Sequence, residues 1–151
     1  MVRPATKDDI DNILEMGTGF FNYAIQDKYL MYDKESFRAY IEFLIGQTFT
    51  TVLVSEDNGR ITGTIAGILS PWFMDFSQKI LTEQWWWVCP ENRKNSSAFD
   101  LLDGLVEWGK ENGASRLIMV SISSKKEESV KKYYARKGFK YMETHYIKEI
   151  S

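Results

Sequence analysis

Hydrophobic residues in the first third of the chain recur at helical spacing. Apolar side chains repeat every three or four positions over residues 10–21, directly after Thr6 and Asp9, a pair that is typical of a helix start. A second amphipathic face, over residues 37–45, follows an acidic residue that is typical of a helix cap. The pattern therefore predicts two helices, preceded by a short strand at residues 2–5.

The pattern changes from helical to strand-like in the middle of the chain. Residues 51–55 and 61–69 are rich in β-branched and apolar side chains, and the Asn58-Gly59 pair between them supplies the positive φ angles that a tight hairpin needs. We expect a loop over residues 70–79, which holds several large aromatic side chains, and then a third strand over residues 80–88.

The second half of the chain alternates helices with strands. An amphipathic helix begins at Ala98 and ends at an Asn-Gly pair, and residues 117–120 form a short all-apolar strand of the kind that is buried in a parallel sheet. Residues 127–137 predict a further helix, which Gly138 ends. Residues 140–150 alternate, and we expect them to close the sheet.

The resulting order, β-α-α-β-β-β-α-β-α-β, predicts a mixed α/β fold in a single domain over residues 1–151. We expect a mostly antiparallel central sheet with helices on both faces. The strand–helix–strand unit near the end should be a right-handed parallel crossover.

Composition excludes several classes of protein. The 151 residues carry 19 basic and 21 acidic side chains, a net charge of −2, so the basic excess of a nucleic-acid-binding protein is missing. One cysteine and one histidine exclude an internal disulfide and a Cys/His metal cluster. The start of the chain lacks a signal-peptide pattern, and the longest uncharged apolar stretch, residues 61–74, is too short to span a bilayer. We expect a cytoplasmic protein with no metal, membrane or nucleic-acid partner.

The loop between the third strand of this run and the following helix has the composition of an anion site. Free amides and the helix dipole both point at such a loop, Arg93 and Lys94 add positive charge, and small side chains around Ser96 let the backbone approach a phosphate. The alternative is that Ser96 is a plain helix cap and that the loop binds nothing.

Three motifs in this order resemble the GNAT N-acetyltransferase superfamily. They are Val88-x-Pro90-Glu91-x-Arg93-x-x-Ser96-x-Ala98, which is similar to the family's acyl-CoA loop, the segment Val130 to Phe139 with its Tyr-x-x-x-Gly-Phe signature, and the opening Arg3-Pro4-Ala5-Thr6-x-x-Asp9. Small stand-alone members, some of them carried by phages, look most similar. The chain departs from the family at Ser96, where a loop glycine is usual, and at Glu127, where an asparagine is often found.

The resemblance implies direct transfer of an acetyl group from acetyl-CoA to an amine. The pyrophosphate would bind the amides of the loop residues, which are Arg93, Lys94, Asn95, Ser96, Ser97 and Ala98. The pantetheine would lie between two splayed parallel strands, and an N–H near Trp87 or Val88 would polarise the thioester carbonyl. Tyr134 matches the family's tyrosine on the final helix and would give a proton to the leaving thiolate; the alternative is that it only packs under the sheet.

A general base is expected on the third strand. Glu83 is the only carboxylate within residues 80–88, and a base from this strand is common in the family. Strict alternation groups Glu83 with Trp85 and Trp87 and leaves open which face meets the amine. A solvated or paired charge is the alternative for Glu83.

Aromatic residues suggest two acceptor regions. Trp72 and Phe73 lie in the expected loop and are candidates for a lid or a wall of the site. A second cluster falls between the first two helices and consists of Phe20, Phe21, Tyr23, Tyr29 and Tyr32. Such a pocket would favour a small amine or an apolar-flanked peptide or protein terminus. The run of three tryptophans, Trp85 to Trp87, reads either as part of this pocket or as a central strand buried on both faces.

The remaining candidates carry less chemistry. Cys89 has no histidine near it in sequence to activate it, and His145 stands alone in an alternating segment. The basic side chains of the last helix form either a solvated face or a contact for the CoA 3′-phosphate. Two rival functions stay open, a catalytically weak or inactive acyl-CoA-binding domain and an enzyme that uses a longer acyl-CoA. Homodimers are common in such folds, but no residue pattern establishes one here.

Overall fold

The elements of the fold are seen in a computed structural model that describes residues 1–25, 31–122 and 126–150. The strands are β1 (Val2–Pro4), β2 (Thr50–Asp57), β3 (Arg60–Trp72), β4 (Asp75–Val88) and β5 (Arg116–Ile118). The helices are α1 (Ile10–Phe20), α2 (Lys34–Gly46), α3 (Ser97–Glu111) and α4 (Glu127–Arg136). Short 3-10 turns at Lys7–Asp9 and Pro90–Asn92 and a π-helical turn at Phe21–Ile25 complete the described elements.

The strands form one five-stranded sheet in the order β1-β2-β3-β4-β5. Neighbouring strands are antiparallel except β4 and β5, which run parallel and are joined by α3. The mixed α/β fold class with helices on both faces is therefore confirmed, as is the predicted parallel strand–helix–strand unit.

Two apolar cores lie on opposite faces of the sheet. Between the sheet and the α1–α2 pair, the buried side chains are Ile10, Ile13, Leu14, Ile41, Leu44, Val52, Val54, Ala66 and Trp85. Between the sheet and α3, they are Leu53, Ile65, Leu69, Leu81, Val88, Leu101 and Leu105. The amphipathic faces predicted from the sequence are the faces that pack here. The central strands β3 and β4 are consequently fixed from both sides.

Local sequence signals act as predicted at several element ends. The Asp9 carboxylate accepts hydrogen bonds from the Thr6 amide at 2.7 Å and from Arg3 at 2.8 Å, which fixes the entry to α1. Asn58 and Gly59 have φ angles of 50° and 75°, the left-handed values that the β2–β3 turn requires. These short-range interactions fix the start of α1 and the turn between β2 and β3.

Residues 70–79 do not form the predicted loop. β3 and β4 continue through this segment as a hairpin arm that turns at Phe73 and Met74. Pro71 is tolerated there because β2 has already ended, so that one side of β3 needs no backbone donor. The predicted loop is wrong because Pro71 and the aromatic side chains that follow it are compatible with strands at the edge of a sheet.

The predicted last strand over residues 140–150 is absent from the structure. These residues have no regular structure, and the side chains of Tyr146 and Ile150 are 93% and 94% exposed. Alternation gives a segment two faces, but a strand forms only where a neighbour satisfies its backbone groups. No strand in the described part of the chain pairs with this segment, so the observed order of elements lacks the final strand that was predicted.

Candidate active site

The strands β4 and β5 part after a short run of pairing. Backbone pairing extends only from Ile80 and Arg116 to Thr82 and Ile118. Beyond it lies an opening, called the strand gap here, between residues 83–88 of β4 and the chain that follows β5. Amides on the open side of β4 have no backbone partner on β5, as a ligand that inserts between the two strands would require.

Two candidate catalytic side chains meet in the strand gap. A carboxylate oxygen of Glu83 accepts a hydrogen bond from the Val120 amide at 2.9 Å. The Tyr134 hydroxyl donates to the carbonyl oxygen of Val120 at 2.8 Å. Both polar backbone groups of Val120 are therefore held by side chains, because the backbone of β4 is already too far away to do so.

The environment of the gap shifts the protonation of both groups. Burial raises the pKa of Glu83 to about 7, and the hydrogen bond from Val120 only partly opposes this. Burial, and then the nearby Glu83, raise the pKa of the Tyr134 phenol above its usual range. Near neutral pH, Glu83 can therefore accept or release a proton, whereas Tyr134 stays protonated and can donate one.

A bulge in β4 separates Glu83 from the tryptophans that were predicted beside it. Ala66 of β3 faces Trp85, but the next residue, Gly67, faces Glu83, so Gln84 is inserted between them. Trp85 consequently packs on α2 through Phe37, with ring centroids 5.3 Å apart. Glu83 points into the strand gap instead. The predicted grouping by strict alternation is wrong because one extra residue reverses the faces.

The opposite face of β4 forms the wall of a cavity of about 260 Å³, called the aromatic cavity here. The residues that line it are Ile13, Met16, Gly17, Phe20, Phe21, Ile25, Tyr32, Phe37, Tyr40, Thr64, Gln84, Trp85 and Trp87. Its polar groups bind one another: the Tyr40 hydroxyl donates to Gln84 Oε1 at 2.7 Å, and the Trp85 indole N–H donates to Thr64 at 3.3 Å. None of these lining side chains is charged.

The aromatic cavity contains some of the predicted acceptor residues and excludes others. Phe20 lines it, and Tyr23 lies at its rim, 5.6 Å from the Trp87 ring. Trp72 and Phe73 do not line it, since they lie at the exposed tip of the hairpin arm, about 30 Å along β4 from Gln84 at the rise of a strand. The role of these two residues as a lid or a wall of the site stays a prediction, and the cavity itself is formed without them.

Several lining residues were missed as site residues. Phe37 and Tyr40 were assigned only to the packed face of the second helix, and no signal separates a core side chain from one that lines a cavity. Tyr29 of the predicted cluster lies outside the described residues. The run of three tryptophans was open between pocket and core, and the structure divides it: Trp85 and Trp87 line the cavity, while Trp86 packs on α4 through Tyr133 and Tyr134.

The loop before α3 has the geometry of an anion cradle. The Asn95 side chain accepts from the Ser97 amide at 3.2 Å, so Asn95 and not Ser96 caps the helix. The Ser96 hydroxyl donates to Asp100 at 2.6 Å, which turns that side chain towards the helix. In residues 1–25, 31–122 and 126–150, nothing hydrogen-bonds to the amides of Lys94, Ser96 and Ala98. The loop therefore fits a diphosphate, and the serine in place of glycine does not block it.

Arg93 does not extend into this cradle. Its guanidinium lies over the ring of Trp87 at 4.4 Å and over that of Tyr23 at 4.7 Å, and its Nε donates to the Val88 carbonyl at 3.0 Å. The side chain predicted to add charge to the loop thus lies at the rim of the aromatic cavity. Lys94 is exposed beside the loop.

The minor candidates take no part in the site. Cys89 is half-buried, and burial raises the pKa of its thiol, which disfavours a nucleophile. His145 lies on the exposed C-terminal segment, 3.3 Å from Glu143. On the last helix, Lys131 pairs with Glu127 and Lys137 pairs with Asp103 on α3.

The described residues hold neither a metal-binding cluster nor a membrane-spanning helix. They contain no group of three or more His, Cys, Asp or Glu side chains placed to bind a metal ion. Within the same residues, no helix is both long enough and apolar enough to cross a bilayer.

Comparison with known proteins gives a family and a set of similar folds. The Acetyltransferase (GNAT) family matches residues 18–139. Among curated proteins, no sequence matches the chain. A transcriptional regulator from Bacillus halodurans C-125 has a similar structure, with a TM-score of 0.80 and 16% identity over 99% of each chain.

Two further similar structures are aminoglycoside acetyltransferases. One, from an uncultured soil metagenomic sample, has a TM-score of 0.77 and 18% identity, over 100% of this chain and 98% of that chain. The other, AAC(6')-Iy in complex with the bisubstrate analogue CoA-S-monomethyl-acetylneamine, has a TM-score of 0.79 and 14% identity, over 100% and 97% of the two chains. At these identities the likeness is one of fold.

Proposed function

Because the chain belongs to the Acetyltransferase (GNAT) family, its activity class is acyl transfer, and we propose that it moves the acetyl group of acetyl-CoA directly to the primary amine of a small molecule. One observation carries the proposal. Glu83 and Tyr134 converge on Val120 at the point where β4 and β5 part. A proton acceptor and a proton donor are therefore held on the same side of an opening in the sheet.

The chain offers the groups that would hold acetyl-CoA. The amides of Lys94, Ser96 and Ala98 would bind the diphosphate at the start of α3, where the helix dipole adds to their effect. When bound, acetyl-CoA supplies an activated thioester carbonyl. The Cys89 amide donates to Thr62 on β3, so alternation turns the Val88 amide towards the strand gap. We infer that Val88 rather than Trp87 donates to that carbonyl.

The proton balance of the transfer assigns one role to each gap residue. The amine nitrogen attacks the thioester carbon, the new C–N bond forms, the C–S bond breaks, and the leaving sulfur takes a proton. Glu83, with a pKa of about 7, accepts the proton that the amine loses, directly or through water. Tyr134 donates to the sulfur, because its phenol stays protonated at neutral pH. The roles of both residues are part of the proposal.

A small-molecule acceptor fits the shape of the site. The aromatic cavity lies on one face of the β4 segment whose edge borders the strand gap: Gln84 in its lining directly follows Glu83, and Trp85 and Trp87 belong to the same segment. A volume of about 260 Å³ suits the body of a small amine. That aminoglycoside acetyltransferases are among the similar structures supports the same class of acceptor.

The experiment measures thiol release and product formation together. The protein is incubated with acetyl-CoA and a broad panel of primary amines, CoA release is followed with a thiol reagent, and the acetylated amine is identified by mass spectrometry. The double variant Glu83→Gln, Tyr134→Phe should abolish both signals. The variant Glu91→Gln removes an exposed carboxylate outside the gap and serves as the matched control.

Two outcomes would contradict the proposal in different ways. Saturable binding of acetyl-CoA without thiol release for any amine would leave an acyl-CoA-binding domain on the same fold. Faster turnover with longer acyl-CoA thioesters than with acetyl-CoA would keep the acyl transfer and replace the acetyl donor.

A further inference from the structure

The lining of the aromatic cavity indicates which amines the protein accepts. We propose that the cavity binds the ring of an arylalkyl monoamine and that polycationic amines, aminoglycosides included, are poor acceptors. This inference rests on the proposed function and goes beyond it, because it selects one class of acceptor among small amines.

The first argument is the shape and composition of the cavity. Its rings meet mostly edge to face, with centroids 5.3 Å apart for Phe37 and Trp85 and 5.5 Å apart for Phe20 and Trp87. A further aromatic ring can add contacts of the same kind. An apolar cavity of roughly 150 Å³ is known to hold benzene. The cavity of about 260 Å³ here therefore accommodates a six-membered ring and a short alkyl chain.

The second argument is the absence of negative charge from the lining. Among the residues that the structure describes, none of the side chains that line the cavity is a carboxylate, and the Gln84 oxygen already accepts from the Tyr40 hydroxyl. A buried ammonium group needs a partner, or its desolvation opposes binding. A monoamine carries a single ammonium, which loses its proton for the reaction. A polycation carries further ammonium groups for which the lining offers no counter-charge.

The third argument is the positive charge at the rim. The Arg93 guanidinium lies over the rings of Trp87, which lines the cavity, and of Tyr23, and the hydrogen bond from its Nε to the Val88 carbonyl fixes it there. A second cation that approaches the same rings is repelled at short range. An uncharged aryl group feels no such repulsion. The positive charge at the rim and the uncharged lining thus both favour arylalkylamines over polycationic amines.

The experiment compares kcat/KM for phenethylamine and tryptamine with kcat/KM for spermidine and kanamycin, at saturating acetyl-CoA. We expect the two arylalkylamines to be favoured by about 100-fold or more, because the extra ammonium groups of spermidine and kanamycin would be buried without a partner. Equal or higher kcat/KM for spermidine or kanamycin would overturn the inference and leave the proposed function intact.

Two variants test the cavity itself. Phe21→Ala removes a lining ring that stacks on Tyr32, with centroids 5.3 Å apart, and should lower kcat/KM for phenethylamine about tenfold. Phe49→Ala removes an exposed ring outside the lining and should leave it unchanged. Gln84→Glu adds a carboxylate to the lining, keeps an acceptor for Tyr40, and should raise the ratio of spermidine to phenethylamine turnover about tenfold. An unchanged ratio with folded protein would count against the charge argument.

A binding measurement separates the inference from the proposed function. Tryptophan fluorescence is titrated with phenethylamine and with spermidine in the absence of acetyl-CoA, since Trp85 and Trp87 line the cavity. Saturable quenching by phenethylamine alone, without turnover of any amine, would remove the catalytic proposal and keep the assignment of the cavity. No quenching by phenethylamine, or equal quenching by spermidine, would remove the assignment.

Discussion

The strand gap runs along one edge of residues 83–88 of β4, the aromatic cavity lies on one face of the same residues, and different forces hold the two open. Rings that pack edge to face form the cavity, with few polar groups. In the strand gap, two side chains replace backbone pairing and hold Val120 by hydrogen bonds. The shape of the cavity therefore depends on packing, whereas the gap depends on two side-chain hydrogen bonds to Val120, one of them to a carboxyl group with a pKa of about 7. Substitutions in the gap should change rates and pH dependence, and substitutions in the cavity should change selectivity.

Removing the charge of Glu83 is expected to have the largest effect. Glu83→Gln should lower kcat/KM about 1,000-fold at neutral pH, because general base catalysis is lost while the hydrogen bond from Val120 can be kept. The acidic limb of the wild-type profile should have an apparent pKa near 7 and should be missing in the variant. The loss should shrink as pH falls below 7, because the wild-type carboxyl is then protonated and no longer acts as a base. A wild-type-like pH profile in Glu83→Gln would exclude Glu83 as the base.

The same variant should change how stability depends on pH. The pKa of Glu83 is about 7 in the folded protein and 4.5 in an exposed carboxyl, so the folded state holds a proton that the unfolded state releases between these values. The free energy of unfolding of the wild type should therefore fall as pH rises through this window, by up to about 3 kcal/mol. Glu83→Gln lacks this loss. Its stability relative to that of the wild type should therefore be higher at alkaline than at acidic pH.

Urea unfolding of both proteins on either side of the window measures this difference. Every other titrating group is shared, so subtracting the two curves isolates Glu83. Parallel curves would mean that the carboxyl is as well solvated in the folded chain as in the unfolded one.

Removing the Tyr134 hydroxyl should have the next largest effect on rate. Tyr134→Phe should lower kcat about 100-fold and leave the KM for acetyl-CoA within about twofold, because the hydroxyl acts on the leaving sulfur. Because a thiolate is a good leaving group, losing the group that protonates it should slow the reaction less than losing the general base. If steady-state kinetics of Tyr134→Phe show a higher KM with an unchanged kcat, Tyr134 does not protonate the leaving sulfur.

Restoring the family's glycine should have the smallest effect. Ser96 has φ −75° and ψ −5°, an ordinary helical conformation, and its hydroxyl binds Asp100 rather than lying in the cradle. Ser96→Gly should therefore change the KM for acetyl-CoA by less than about twofold. A tenfold lower KM would show that the serine side chain does obstruct the loop.

Much of the fold could be predicted because its signals are local. The Asn58-Gly59 turn, the stop at Gly138 and the amphipathic faces of the helices depend on residues close in sequence, and the structure has each of them. Glu83 and Tyr134 could be selected in the same way, one as the only carboxylate within the predicted strand over residues 80–88 and the other by its motif. Their convergence on Val120 could not be foreseen, since it depends on where β4 and β5 separate.

The failures share one cause, which is dependence on distant partners. Nothing in the residues around Gln84 marks a bulge, because the extra residue is accommodated by the neighbouring strand β3. Residues 140–150 alternate as a strand does, but alternation does not supply a neighbour. The guanidinium of Arg93 had two possible surroundings, phosphate or aromatic rings, and only tertiary structure decides between them.

The bulge at Gln84 acts on the strand as a frameshift acts on a reading frame. Every residue after it is displaced by one step relative to those before it, so Glu83 and Trp85 lie on opposite faces of β4 although they are two positions apart. Deleting Gln84 would leave the β3 partners of Glu83 and Trp85 unchanged, and would therefore remove the bulge without turning either side chain to the other face. The bulge thus lets a single strand present Glu83 to the strand gap and Trp85 to the aromatic cavity.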